Sequence, residues 1–345
     1  NPKYARFMAK KVHEQNGNNK NSNNIRIKLK KGIRSIIKKI HDNISIFDAQ
    51  KSNVNQVKKL EINYDSYDII ISASDPKSSH LIVEKILRSH SNAKVKWIQY
   101  WGDPMFNDIT RKKDWRDFLV KYYEKKLVKK ADKIVYASPL TLKLQKETYP
   151  DQANKMYYAS QVFLNEPLKN IFDYKSNIKD TTIGYFGAYH SKVRNIIPLY
   201  KAVLDSGYKL NICGSSDLNL ESTENIKIYG MVPYKEAKKM EENSDILVTI
   251  CNSSGTQIPG KIYYCSGYNK PIIVILDGEY KEELRAYFNT FNRYILCDNN
   301  SESIIKAIEK ARNELQVKER KIDQQLTPKY MAEKILCGLD FELNE

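Results

Sequence analysis

Residues 183–195 read IGYFGAYHSKVRN, and their pattern sets the reading of the whole chain. An apolar run ends at Phe186-Gly187. A polar stretch then carries His190, Lys192 and Arg194, and an amphipathic stretch follows over 195–206. The order is strand, glycine-marked turn, helix. A glycine at such a turn lets backbone approach a phosphate, a helix N-terminus adds partial positive charge, and Lys and Arg add full charges. The composition is that of a diphosphate-binding turn. A tight turn with solvated charges has the same residues, and the segment alone leaves both readings open.

The same alternation continues on both sides. Toward the C-terminus, strands are expected at Lys209–Cys213 (ending at Gly214), 226–229 (ending at Gly230), 245–250 (DILVTI), 271–276 (PIIVIL) and 294–297. Helices are expected at Tyr234–Asn243, from Lys261 to 267, over 301–316 and over 327–338. Toward the N-terminus, strands are expected at 67–72 (YDIIIS), 94–99 (KVKWIQ), 133–137 (KIVYA) and 155–159. Between them, helices are expected at Ser78–Ser89, 115–130 and 141–148. Apolar runs alternating with amphipathic stretches are the signature of parallel sheets with helices on their faces. Residues 165–180 lack periodicity and contain Pro167, which places a linker there. The fold class is therefore α/β, with two Rossmann-like domains facing across a cleft at the carboxyl ends of their strands. The expected division is 1–165, a linker at 166–180, a second domain at 181–326, and a C-terminal helix at 327–345 packing back toward the first domain.

A second candidate site is residues 256–271, TQIPGKIYYCSGYNKP. Pro259-Gly260 opens a helix with Lys261 in its first turn. A helix dipole disfavours a cation there unless an anion is bound. A phosphate ligand is one explanation, and a lysine reaching outward into water is the other.

The chain has 345 residues, 57 Lys+Arg against 41 Asp+Glu, and a net charge of +16. Two stretches hold that excess. Residues 1–40 carry twelve basic residues against Glu14, a net +11, and residues 111–130 carry nine against three, a net +6. The rest is close to neutral. Leu29, Ile33, Ile36, Ile37 and Ile40 line one helical face opposite Lys30, Lys31, Arg34, Lys38 and Lys39, a pattern that suits an anionic leaflet or an ordinary surface helix. Residues 16–24, rich in Asn, are expected to form a loop. Two concentrated patches suit an anionic surface met by one side of one domain better than a nucleic-acid groove.

The hydrophobic fraction of 41% is enough for packed cores, and no stretch approaches the ~20 apolar residues of a membrane span. No signal-peptide pattern opens the chain, which begins Asn1-Pro2 and is expected to be a fragment. Five cysteines without C-x-x-C spacing read as small buried thiols in a reducing compartment. Five histidines without ligand spacing, and no Asp-x-Asp, disfavour a metal-dependent chemistry. Walker A and G-x-S-x-G motifs do not occur.

Taken in order, these segments resemble the retaining GT-B glycosyltransferases of bacterial surface polysaccharide synthesis. The resemblance rests on strand–FG–loop with Lys and Arg, strand–Cys213-Gly214, IYGMVPYKEAKKMEENSDILV (228–248) and PGKIYYCSGYNKPIIVI (259–275). In the first domain it rests on YDIIISASDPKSSHLI (67–82), KWIQYWGDP (96–104) and YEKKLVKKADKIVYAS (123–138), so it covers roughly 65–340. It implies a nucleoside-diphosphate sugar in the second domain and a glycan or lipid-linked acceptor at the first. It implies no cofactor, and the missing ligand patterns add that no metal is expected. The two basic patches add an anionic membrane surface as partner, and with it a cytoplasmic place on the inner face of the cell membrane. Gly187, Lys192 or Arg194, and Lys261 would then hold the diphosphate and stabilise the charge that develops as it leaves, with His190 and Gly260 beside them. Gly214 would admit the nucleotide, and Gly230, Met231 and Val232 would line the base. Asp103 would orient or deprotonate the acceptor hydroxyl. A front-face mechanism needs no protein nucleophile, in keeping with the lack of paired carboxylates.

Two departures stand out. Positions 256 and 264, where the family often has glutamates, hold Thr256 and Tyr264, and a tyrosine hydroxyl could still bond a ribose hydroxyl. The family's usual opening strand and glycine-rich loop are also missing. Two rivals remain on sequence grounds: an inactive GT-B homologue that binds a partner, and a basic nucleic-acid-binding protein.

Overall fold

The computed structural model describes residues 45–90, 94–163, 180–316, 320 and 322–337. The basic helix expected within 1–40, the loop at 16–24, the linker apart from Asp180 and the chain beyond 337 lie outside the described residues. By contact the chain divides into two compact units. One comprises Asn1–Ile134 with Tyr149–Met156, the other Val135–Thr148 with Tyr157–Glu345.

The first sheet has four strands in the order β1 (Ile69–Ser74), β2 (Lys96–Trp101), β3 (Lys133–Tyr136) and β4 (Met156–Tyr158). β1 and β2 are parallel, with Ile69 opposite Lys96 and Ser74 opposite Trp101. Both run two residues past the ends expected from hydropathy, because the polar residues there are buried with partners. The Ser72 hydroxyl accepts from Trp97 Nε1 at 2.8 Å and meets His80 Nδ1 at 2.7 Å. Gln99 donates to the Leu127 carbonyl at 2.9 Å and accepts from Trp101 Nε1 at 3.0 Å. A satisfied polar group can stay inside a sheet.

Helices α1 (Ser78–Ser89), α2 (Asp117–Lys130) and α3 (Pro139–Thr148) follow β1, β2 and β3. α2 buries Val120, Glu124, Leu127 and Val128, an i, i+4, i+7, i+8 stripe. A 3-10 helix at Ala49–Lys59, absent from the sequence reading, is capped by Asp48 and packs Val57 with Tyr64 and Ile86.

The second sheet contains β5 (Thr182–Phe186), β6 (Lys209–Cys213), β7 (Ile226–Gly230), β8 (Ile246–Ile250), β9 (Ile272–Leu276) and β10 (Ile295–Asp298). Their order is β10-β9-β8-β5-β6-β7, every neighbouring pair parallel. Read from β7 this is the 3-2-1-4-5-6 order of a Rossmann sheet, with its topological switch between β5 and β8. β8 and β9 are buried at every residue, as a sheet covered on both faces requires. Alternate residues supply two apolar clusters. Ile183, Tyr185, Val248 and Ile273 face one side, and Phe186, Leu247, Ile272 and Val274 face the other.

The helices of this unit are α4 (Ile197–Leu204), α5 (Tyr234–Asn243), α6 (Lys261–Cys265), α7 (Lys281–Asn289), α8 (Ser301–Asn313) and α9 (Pro328–Leu336). α7, not among the expected helices, buries Leu284 and Phe288 at i, i+4. Asn300 caps α8 by accepting from Ser303 N at 2.9 Å. On α9, the Lys334 ammonium lies 4.7 Å over the Tyr158 ring. Cys213, Cys251, Cys265 and Cys297 are buried free thiols, and Cys337 is exposed.

Candidate functional site

In the second unit, three glycines stand at the carboxyl ends of three adjacent strands. Gly187 follows β5 and donates its N–H to the Cys213 carbonyl at 2.9 Å, and Gly214 follows β6 and donates to the Gly230 carbonyl at 2.8 Å. Gly214 has φ +155°, and a Cβ there would lie 1.9 Å from the Gly187 carbonyl oxygen. Its lack of a side chain is required by this close backbone approach, with or without a ligand. Met231, next to Gly230, is largely exposed, while Val232 packs on the core.

The loop after β5 folds into a tight turn in which the His190 carbonyl accepts from Val193 and Arg194 N–H groups at 2.8 and 2.9 Å. This brings Arg194 back to the switch point. Its Nε donates to Asn252 Oδ1 at 2.9 Å, and Nη1 donates to the Ala188 carbonyl at 3.0 Å. Asn252 belongs to the loop after β8 and donates in turn to the Gln257 carbonyl at 2.8 Å. Ser253 N–H to the Val193 carbonyl, at 2.8 Å, joins the two loops again. Burial pushes the nearby Tyr185 hydroxyl up to about 12, against the opposing charge of Arg194. His190 and Lys192 are exposed on the outer part of the turn, His190 Nε2 lying 3.3 Å from the Ser215 hydroxyl.

Lys261 begins α6, as expected. That helix has only five residues, Lys261–Cys265, with turns beyond it rather than a continuation to 267, so its dipole is small. The anion beside Lys261 is a residue of the chain: its Nζ forms a close ion pair with the buried Glu241, whose other oxygen accepts from Tyr268 at 3.0 Å. Burial would lower the Lys261 pKa, but Cys265 and Glu241 outweigh it and the net shift is upward. Glu241 thus supplies within the fold the anion that Lys261 needs at this helix start. Glu241 and Lys261 both act electrostatically on Cys213, whose thiol is raised chiefly by burial, which places the pair near the end of β6.

Gly260 leaves room for Gln161, since a Cβ there would meet Gln161 Oε1 at 1.9 Å. Thr256 is buried, its carbonyl accepting from the Ser138 and Thr141 hydroxyls at 2.6 and 3.0 Å. Tyr264 is exposed. Burial lowers the Lys270 ammonium to about 8 although it caps α5, donating to the carbonyls of Glu241, Glu242 and Ser244 at 2.8, 2.5 and 2.6 Å.

In the first unit, Asp103 lies on the loop after β2, and that loop is held from three sides. Gly102 N–H donates to the Ser74 hydroxyl at 3.2 Å. Lys77 Nζ pairs with Asp108 at 2.7 Å, which helps to hold the Asp108 carboxyl below its usual range against the upward push of burial. Glu124, fully buried on α2, accepts from Met105 N and Phe106 N at 2.8 and 2.9 Å and from the Tyr149 hydroxyl at 2.8 Å. Burial raises the Glu124 carboxyl against the pull of these bonds. Glu124, Lys77, Asn252 and Glu241 support these loops without any motif that marks them in the sequence. Only the odd acid on an otherwise apolar helical stripe could have pointed to Glu124.

No protein-family model and no curated protein matches the chain. Solved structures do resemble it. Sucrose-phosphate synthase from Thermosynechococcus elongatus superposes with a TM-score of 0.52 at 12% identity, over 83% of this chain and 75% of that one. The fold is GT-B. Two further likenesses are a glycosyltransferase from Rickettsia africae (TM-score 0.49, 16% identity, 84% and 75% covered) and a lipopolysaccharide outer core galactosyltransferase (0.46, 12%, 84% and 81%). In this GT-B chain the residues picked from sequence separate by unit. Asp103 is in the first, and the glycine row, Arg194 and Lys261 are in the second.

Proposed function

We propose that this chain is a glycosyltransferase. It moves a sugar from a nucleoside-diphosphate donor to a hydroxyl of a lipid-linked glycan, with retention, in cell-surface polysaccharide synthesis. The observation that carries the reading is Arg194, fixed by Asn252 and the Ala188 carbonyl at the switch point of a Rossmann sheet, where such sheets take their ligands. A diphosphate there would meet the Arg194 guanidinium, with Lys192 and His190 on the outer turn. Lys261 has three N–H donors, and its bond to Glu241 engages one of them.

In this mechanism the bond from the sugar's anomeric carbon to the β-phosphate oxygen breaks, and its electron pair stays on that oxygen. The acceptor oxygen bonds the anomeric carbon from the same face, and its proton passes to the departing phosphate. Arg194 and Lys261 stabilise the charge that develops, and Asp103 orients the acceptor hydroxyl. The countercharge comes from the chain's own cations, so the reading requires no metal. The enzyme works at the inner face of the cell membrane, where a lipid-linked acceptor is found; among the described residues no helix is long and apolar enough to cross a membrane.

A second reading is a GT-B homologue that binds nucleotide without turnover. It is favoured by the exposed Tyr264 and by the engagement of Lys261 with Glu241. Thermal shift with UDP, GDP and their sugars, followed by nucleotide release with lipid-linked acceptor extracts, separates the two. Stabilisation with turnover supports the transferase, and stabilisation without turnover supports the second reading. Absence of any stabilisation, with steeply salt-dependent nucleic-acid binding instead, would reject both.

A further inference from the structure

α2 and the turn before it present aromatic residues to solvent. Trp115 is 69% exposed, Phe118 77% and Tyr122 54%. Phe118, Tyr122, Lys125 and Lys129 follow i, i+4, i+7, i+11, one continuous stripe opposite the buried Val120, Glu124, Leu127 and Val128. Lys112, Lys113, Lys121 and Lys126 flank the stripe and are exposed. Three neighbouring exposed aromatics are not the scattered single side chains of an ordinary surface.

The acids of this segment are paired or buried. Asp114 is held by Arg116 and Asp117 by Arg111, each at 2.7 Å, and Glu124 is buried. Arg116 also donates to the Ser45 carbonyl at 3.1 Å, so the turn that presents Trp115 is braced from both sides. Lys112, Lys113, Lys126 and Lys129 have no ion-pair partner among the described residues. The outward face is therefore apolar and cationic, with the exposed Asp151 meeting it at Lys125, 3.7 Å away.

We infer that this face is a membrane-docking surface, in which Trp115, Phe118 and Tyr122 enter the headgroup layer of an anionic bilayer and the lysines contact its phosphates. Charge decides among occupants. A second copy of the face would be repelled, and so would residues 1–40 of this chain, at a net +11. The two arginines suited to gripping nucleic-acid phosphates are both tied to aspartates, so only lysines, which extend alongside buried aromatics while keeping their charge in water, face outward. Aromatic residues flanked by lysine are the composition of interfacial helices. The inference rests in part on the proposed lipid-linked acceptor, but its test does not use that activity.

Trp97 and Trp101 are buried, so Trp115 is the exposed one of three tryptophans and reports on its own face. The full chain is mixed with vesicles of phosphatidylcholine plus phosphatidylglycerol, with phosphatidylcholine vesicles alone, and with a single-stranded oligonucleotide. A blue shift of emission and quenching by brominated lipid with the anionic vesicles are expected. Phe118→Ser should weaken vesicle binding about tenfold while leaving the melting temperature and nucleoside-diphosphate binding unchanged. Vesicle binding without an emission shift would place the contact elsewhere in the chain and overturn the inference. A shift with the oligonucleotide but not with vesicles would overturn it too. If nucleotide binding fails while the vesicle response persists, the transferase reading falls and the docking surface stands.

Discussion

Arg194 Nε donates to Asn252 Oδ1 at 2.9 Å, across 58 residues of sequence, and so ties the loop after β5 to the loop after β8. Those strands are neighbours in the sheet although two others lie between them in the chain. The guanidinium is thereby fixed at the switch point before any ligand arrives, which reduces the ordering cost of binding.

Arg194→Ala should weaken UDP or GDP binding by about 1.5–3 kcal/mol, the range of a hydrogen bond to a charged group, or roughly ten- to a hundredfold. Asn252→Ala should have a smaller effect in the same direction, because it frees the guanidinium without removing it. Titration calorimetry of both variants checks this; unchanged affinity in Arg194→Ala would reject the site.

Lys261→Met leaves the buried Glu241 with only Tyr268 on its side-chain oxygens among the described residues, and we expect a loss of about 3 kcal/mol in chemical denaturation, the low end for a broken buried pair because Lys261 is partly exposed. Lys261→Met with Glu241→Leu should recover much of that stability without recovering nucleotide affinity. Because the pair holds the Lys261 pKa above its ordinary value, its contribution is full below pH 10.5 and declines only as pH rises through the raised value. The stability difference between wild type and Lys261→Met should therefore be flat through neutral pH and narrow in strong alkali.

Glu124→Gln turns an amide N–H₂ toward a backbone N–H, Met105 or Phe106, that now has a carboxylate to accept it. The expected cost is about 1–3 kcal/mol of stability. Because the loop carrying Asp103 loosens while the second unit is untouched, acceptor-dependent turnover should fall by more than nucleotide affinity. Equal losses in both would mean that Glu124 serves only the general stability of the chain.

Burial holds the His80 imidazole at about 3, well below its ordinary 6.5. Between those values the unfolded chain takes up a proton that the folded chain refuses, so stability is full above pH 6.5 and falls as pH drops toward 3. The difference amounts to roughly 4–5 kcal/mol. His80→Gln, which keeps an acceptor for the Ser72 hydroxyl, should flatten this part of the pH profile in denaturation. Parallel profiles for wild type and variant would contradict the assignment.

Much of the fold can be read along the chain. Runs such as 245–250 and 271–276 are apolar at nearly every position, and only a strand covered on both faces buries them all. Strand ends were less legible where Ser72 and Gln99 interrupt the pattern, since their partners lie on other elements. α7 has only Leu284 and Phe288 at helical spacing in its buried stripe, too short a pattern to stand out in the sequence. In the second unit the glycines and basic residues of the candidate site stand out as residue types at strand ends.

What the sequence determined by itself was local: strand, turn and helix in alternation, glycines where strands end, and cations in the turns that follow. The tertiary structure decided which charges meet. Lys261 finds Glu241, Arg194 finds Asn252, and Glu124 turns inward to hold the loop of Asp103. Hydropathic periodicity specifies the face that each helix buries, but it carries no information on which other element that face will meet. Strand order and helix packing supply it, and they bring together residues that lie far apart in the chain.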